Sequence, residues 1–161
     1  MKSVEIALKM ETDAVKFYTE AAEKVSHPVG KKMFLTVAED EKNHIKMLEE
    51  VLKGLELTIR EAHPIKTVKT IFEEMKDKMM DRVKALSDEL EAFRIAMDME
   101  KEGIEFYKKV INEVTTEKEK KLFERLIYEE EQHHKIFAET YNFLNDTGNW
   151  FMWKEFSIVE G

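Results

Sequence analysis

Laid on itself with an offset of 89 residues, the chain repeats without a gap. IALKMETDAVKFY (6–18) falls on IAMDMEKEGIEFY (95–107), so that Ile6, Ala7, Met10, Glu11, Phe17 and Tyr18 meet identical residues. Further along, Val25, Lys31, Lys32, Phe34, Glu41 and His44 meet Val114, Lys120, Lys121, Phe123, Glu130 and His133. A unit that recurs in this way builds the same supersecondary structure twice, and each copy has an apolar face for the other to cover.

The unit reads as a pair of helices. Val4, Ala7, Leu8, Ala14, Val15, Tyr18, Ala21, Ala22 and Val25 are spaced for one helical face. Ser26-His27-Pro28 breaks that helix and caps the next, with Pro inside its first turn. Phe34, Val37, Ala38, Ile45, Leu48 and Leu52 predict the second helix, ending near Gly54. A third follows Phe93, Ala96, Met97, Ile104, Tyr107, Val110 and Val114, with Asp88 and Glu91 as the expected capping box. The fourth follows Phe123, Leu126, Ile127, Phe137, Tyr141 and Leu144, capped by Thr116 with Glu119 and followed by Gly148.

Short breaks near 26–28 and 115–117 imply two antiparallel hairpins. Residues 55–87 are long enough to cross the whole assembly, and Val68, Ile71, Phe72, Met75 and Met79 give them a short helix of their own. The expected fold is therefore all-α, an antiparallel four-helix bundle with a long crossover between helices 2 and 3. Its expected limits are 3–54 for repeat 1, 55–87 for the crossover and 88–146 for repeat 2, in one domain over 1–148. Five Gly and two Pro in 161 residues are too few for a many-stranded alternative. The aromatic tail at 149–161, NWFMWKEFSIVEG, is expected to pack on the bundle or on a partner subunit.

Composition narrows the chemistry. With no cysteine there is no disulfide, thiolate site or cysteine nucleophile, so any metal is held by His and carboxylate, which suits iron, manganese or zinc. A net charge of −8 argues against a nucleic-acid partner. No apolar run approaches the roughly 20 residues of a membrane span. The start, MKSVEIALKMETDAV, meets charge too early for a secretory signal, and a cytoplasmic location is expected.

YEEEQHHK (128–135) contains Glu-x-x-His in two registers, Glu130 with His133 and Glu131 with His134. The repeat selects the first, because Glu130 and His133 align with Glu41 and His44. Helical phase agrees: Phe123, Leu126, Glu130, His133, Phe137 and Leu144 share one stripe, and Glu131 and His134 lie about 100° further round. Glu11 and Glu100 sit inside the apolar stripes of their own helices in the same way. A lone buried carboxylate costs several kcal/mol unless it is protonated or partnered. Four of them in one core carry −4, and two divalent cations balance that charge. One Glu from each of two helices, with Glu-x-x-His from each of the other two, is the carboxylate-bridged dimetal arrangement of helix bundles. The expected ligands are Glu11, Glu41, His44, Glu100, Glu130 and His133. Asp40 and Glu129, one turn before each His, are candidates to accept a ring N–H from the opposite hairpin. Tyr18 and Tyr107 are candidates to hydrogen-bond a carboxylate or quench radicals, and His27 and His63 precede Pro with no assigned function.

MExxAxxFY (10–18) with EKNH (41–44), then MExxGxxFY (99–107) with EEEQHH (129–134), resemble the ferritin-like di-iron carboxylate superfamily, its rubrerythrin branch most closely. The resemblance implies a site of two iron ions per chain, bridged by Glu41 and Glu130. Glu11 and His44 would complete one ion, Glu100 and His133 the other. Manganese or a mixed pair would fit the same ligands. It implies reduction of hydrogen peroxide or dioxygen and a role in oxidative stress. Rubrerythrins draw electrons from a cysteine-ligated rubredoxin domain. Without cysteine, the expected donor is a separate protein such as a rubredoxin. Rubrerythrins also carry a glutamate one turn after the third-helix ligand, where this chain has Gly103, mirrored by Ala14. The six-ligand set therefore also resembles the ferroxidase centre of bacterioferritin, which makes iron handling an alternative, with manganese catalase-like chemistry another. Bacterioferritin has a haem-binding Met where Lys42 stands, so no haem is expected. The single bundle and its aromatic tail suggest a homodimer.

Overall fold

The computed structural model describes residues 2–155. Five helices account for most of them: α1 (Lys2–Lys24), α2 (Pro28–Leu52), α3 (Pro64–Glu74), α4 (Ser87–Val110) and α5 (Glu117–Thr147), with a 3-10 turn at Lys76–Met79. The described residues form no strand beyond one isolated antiparallel bridge, Lys84 with Asn149. No described helix is long and apolar enough to cross a membrane.

The helix ends follow from local chemistry, with one exception. Pro28 opens α2 and the His27 ring accepts from the Val29 N–H at 3.2 Å. Thr116 caps α5 by accepting from the Glu119 N–H at 3.1 Å, and Gly148, at φ 75°, closes it in the left-handed region open to glycine. At the start of α4, Glu89 takes the place expected of Glu91, accepting from the Leu86 N–H at 2.9 Å. Its carboxylate also accepts from the Ser26 N–H (2.7 Å), the Ser26 hydroxyl (2.6 Å) and the Trp150 indole (3.1 Å). Partners more than sixty residues away thus decide which acid caps the helix, while Glu91 turns outward to Arg94.

α1 packs on α2, and α4 on α5. Between the hairpins the bonded pairs run in opposite senses: Ser3 with Glu113, Glu11 with Tyr107, and Tyr18 with Glu100, each at 2.6 Å. α3 lies against α2 and α5, its start pinned where the Ile65 N–H donates to Gln132 at 3.2 Å. The apolar core forms two clusters. One gathers Tyr18, Phe34, Phe72, Phe93, Phe137 and Trp150; the other gathers Val4, Met47, Leu48, Tyr107, Phe123 and Leu126. Each fully buried aliphatic or Phe side chain contributes about 1.5–3 kcal/mol.

The described part of the aromatic tail packs on its own helices. Trp150 and Phe151 are fully buried. The Trp150 indole stacks on His27 at 4.6 Å and lies over Gly30, where an added Cβ would stand 2.6 Å from the ring. Residues 156–161 of that tail lie outside the described residues.

Candidate metal centre

Six acid and imidazole side chains converge at mid-height of the four long helices. Glu11 comes from α1, Glu41 and His44 from α2, Glu100 from α4, and Glu130 and His133 from α5. All are 0–3% exposed. They form two overlapping quartets, Glu11-Glu41-His44-Glu130 and Glu41-Glu100-Glu130-His133, and within each the candidate ligand atoms lie within 4.8 Å of one another. Glu41 and Glu130 belong to both. His44 Nδ1 stands 3.5, 3.4 and 3.3 Å from oxygens of Glu11, Glu41 and Glu130. His133 Nδ1 stands 3.2, 3.5 and 3.5 Å from oxygens of Glu41, Glu100 and Glu130.

Each of the six residues turns one buried atom inward without a hydrogen-bond partner: Glu11 Oε2, Glu41 Oε1, His44 Nδ1, Glu100 Oε2, Glu130 Oε1 and His133 Nδ1. Leaving a buried polar atom unpaired costs about 1–3 kcal/mol, so six in one place are unstable unless something meets them. A cation bonded to four N and O donors at about 2.1 Å holds those donors roughly 3.0–3.4 Å apart. That spacing is close to the one found here, and the donor set fits two such ions.

The imidazoles are aimed from behind. His44 Nε2 lies 2.8 Å from Glu129 Oε1, and His133 Nε2 lies 2.8 Å from Asp40 Oδ2, each contact running from one hairpin to the other. A carboxylate only accepts, so both Nε2 atoms carry the proton and both Nδ1 atoms are left for a metal. The tyrosines cross in the same way: Tyr18 donates to Glu100 and Tyr107 to Glu11. Burial, and then the carboxylate each one faces, push both phenols well above their ordinary range.

Without a cation, protons take up the charge. Burial and the charges of Glu11, Glu130 and Glu100 raise Glu41. Burial and then Glu130 raise Glu100. Burial works to raise Glu130 too, but the neighbouring Glu100 carboxyl and both imidazoles outweigh it and hold that carboxyl well below the usual range. For the histidines, burial opposes the charge; Glu41 and Glu11 overcome it at His44, as does Glu100 at His133, and both are raised.

The chain matches the rubrerythrin family over residues 2–141. It belongs to the rubrerythrin family. That membership supports a di-iron carboxylate protein. A solved hypothetical protein from Pyrococcus furiosus is similar over 93% of this chain and 90% of its own, at 25% identity and a TM-score of 0.69. No curated protein sequence matches.

In this rubrerythrin-family chain, a cavity of about 350 Å³ opens between α1 and α4 onto the quartets. Asp13 and Glu102 are its exposed lining residues; Met10, Met99 and Phe106 are half-buried, and Ala14, Gly103, Glu11, Glu41, Glu100 and Glu130 are buried. At Gly103 a Cβ would lie 3.2 Å from Glu130 Oε2, so the glycine lets α4 approach that carboxylate closely. The alternative register points away from the quartets: Glu131 is exposed and His134 half-buried.

Two features had no clear sequence signal. The Glu129 carboxylate accepts from Arg125 (2.7 Å) and from the Ala62 N–H (2.9 Å) as well as from His44. Those three bonds outweigh burial and hold it below its ordinary range. The second is the cavity, which depends on how α1 and α4 separate. A mismatch between the repeats at Arg125, which falls on Thr36, is the trace that marks the first.

Proposed function

We propose that this protein is a di-iron oxidoreductase that reduces hydrogen peroxide or dioxygen with electrons from a separate donor protein. The observation that carries the reading is the set of six inward, unpartnered donor atoms, one from each of Glu11, Glu41, His44, Glu100, Glu130 and His133. In this reading Glu41 and Glu130, common to both quartets, would serve both ions. Glu11 with His44 and Glu100 with His133 complete them. The bundle is an antiparallel four-helix arrangement over 1–148, with the stretch holding α3 as its crossover, and it acts as a cytoplasmic homodimer.

Reduced iron held by these residues would supply the two electrons that, with two protons, convert one hydrogen peroxide to two waters. The chain's own groups do the rest. The cavity between α1 and α4 admits a molecule of that size to the inner carboxylates. Met10, Met99 and Phe106 make part of its wall apolar, beside the exposed carboxylates of Asp13 and Glu102. Tyr18 and Tyr107 fix one oxygen each of Glu100 and Glu11, leaving the second to face inward. Glu129 and Asp40 hold the ring protons at Nε2 and keep Nδ1 free.

Ferroxidase chemistry is the second reading, favoured by Gly103, which leaves six candidate ligands and no carboxylate one turn after Glu100. Elemental analysis after anaerobic iron loading tests the centre: two ions per chain are expected, and none or one overturns it. Stopped-flow mixing of the reduced protein with each oxidant separates the readings. Oxidised iron that stays in the centre and is reduced again by a donor protein supports the first, and oxidised iron that leaves the centre supports the second.

A further inference from the structure

We propose that the two metal positions are unequal, and that Arg125 is the positioning residue that makes them so. The position at Glu11 and His44 binds first and retains its ion; the position at Glu100 and His133 exchanges. This rests on the dimetal reading and adds to it an order of occupation.

The repeat makes the two positions alike up to the histidines and then stops. Each ring bonds a carboxylate on the other hairpin at the same 2.8 Å. Behind His44, that carboxylate is Glu129, 1% exposed and held from three sides. One oxygen faces His44, and the other accepts from Arg125 Nε at 2.7 Å and the Ala62 N–H at 2.9 Å. A second Arg125 nitrogen donates to the Ala62 carbonyl, closing a ring of side chain and backbone, and the guanidinium lies over Tyr128 at 4.6 Å.

Behind His133 the carboxylate is Asp40, one methylene shorter and 13% exposed. Its bond to His133 is the one that ties it among the described residues. The residue that mirrors Arg125 is Thr36, which has no guanidinium to offer.

The difference acts on metal binding through ring orientation. A carboxylate fixed by charged and backbone donors holds the imidazole plane before an ion arrives, so little freedom is lost on binding. A carboxylate free on its other side lets the ring swing and lets water reach the bond. Arg125 and Glu129 also tie residue 62, in the segment between α2 and α3, to the wall of the His44 position.

The test is an anaerobic titration of the metal-free protein with Co²⁺ against a competing chelator, read by visible absorption. Two steps are expected, the first at least about tenfold tighter, since partners at this distance from a metal are worth about 10–100-fold in affinity. His44→Ala should remove the tight step and His133→Ala the weak one. Arg125→Ala should weaken the first step, by less than the roughly 10–100-fold expected for loss of the His44 partner itself, and leave the second within about threefold. Arg125→Lys, which keeps the charge without the fork, should recover only part of that loss. Should Arg125→Ala fail to fold by circular dichroism, Glu129→Gln, which keeps the side chain's size, should weaken the same step.

Two ions bound with equal affinity overturn the proposal, as does loss of the tight step in His133→Ala or equal weakening of both steps in Arg125→Ala. Uptake of one ion or none overturns the dimetal reading instead.

Discussion

Metal-free protein should lose stability as the pH rises above about 4.3, and replacing Glu11, Glu41, Glu100 and Glu130 together by Gln should remove that loss. The ligand atoms of each quartet lie within 4.8 Å. Two like charges at such a distance repel by about 3.5 kcal/mol at an effective dielectric near 20. The folded chain avoids this by keeping protons on Glu41, Glu100, His44 and His133, all of which are raised. A raised group gives stability that is complete below its unfolded value, about 4.3 for Glu and about 6.5 for His, and that is lost as pH climbs through the folded value. Glu130 runs the other way: it is lowered, so its contribution is present above about 4.3 and lost in acid, and it does not offset the alkaline decline. Gln holds no titrating proton and leaves each His without the inner carboxylates that raise it. The stability of the parent minus that of the variant should fall by roughly 3 kcal/mol, one pair's repulsion, between about pH 5 and pH 9. Urea denaturation in the presence of chelator, extrapolated linearly, measures it, provided the two proteins share one m-value. A difference that stays flat within about 0.5 kcal/mol, or that rises, would refute the premise that these carboxylates crowd one core. Saturating metal should flatten the parent's curve, because the ions displace the same protons.

Substituting His133→Ala should cost one ion per chain by elemental analysis, while His134→Ala should keep both; equal losses would mean that the repeat selects the wrong register. Gly30→Ala should lower the denaturation midpoint. Its Cβ would stand 2.6 Å from an indole that His27, Phe93 and Glu89 hold in place. Overpacking of that kind costs about 1–3 kcal/mol, more than the roughly 1 kcal/mol of helix propensity gained. The same change should cost less in a Trp150→Ala background, and an identical cost there would show that the indole is not what Gly30 accommodates. Static light scattering should give the mass of two chains; a cage of many subunits would move the functional reading to iron storage.

The all-helical fold was legible because the apolar stripes are long and regular and because Thr116 and Gly148 mark the ends of α5 through purely local chemistry. Identity at an offset of 89 residues distinguished Glu130 from Glu131 where composition could not. What stayed hidden depends on contacts that no spacing encodes. Glu89 outcompetes Glu91 as a cap because Ser26 and Trp150 arrive from elsewhere in the chain. Glu129 is fixed by Ala62, a residue in an irregular segment whose path follows no periodicity. Tyr18 and Tyr107 read as candidates to bond a carboxylate, but which one was not legible: neighbouring helices bring each to the acid of the other hairpin.

That crossing has a consequence for how the centre fails. Tyr18 holds Glu100, Tyr107 holds Glu11, Glu129 holds His44 and Asp40 holds His133, so each of these four residues is steadied from the other half of the chain. The centre therefore works as a caliper set across the two halves. The four bonds span 2.6–2.8 Å, and a parting of about 1 Å takes every one of them past the range in which hydrogen bonds hold. Slack between the halves, wherever in the described residues it originates, reaches all four contacts together. Conversely, an ion gripped from both sides draws the halves shut, so metal content reports the closure of the whole molecule.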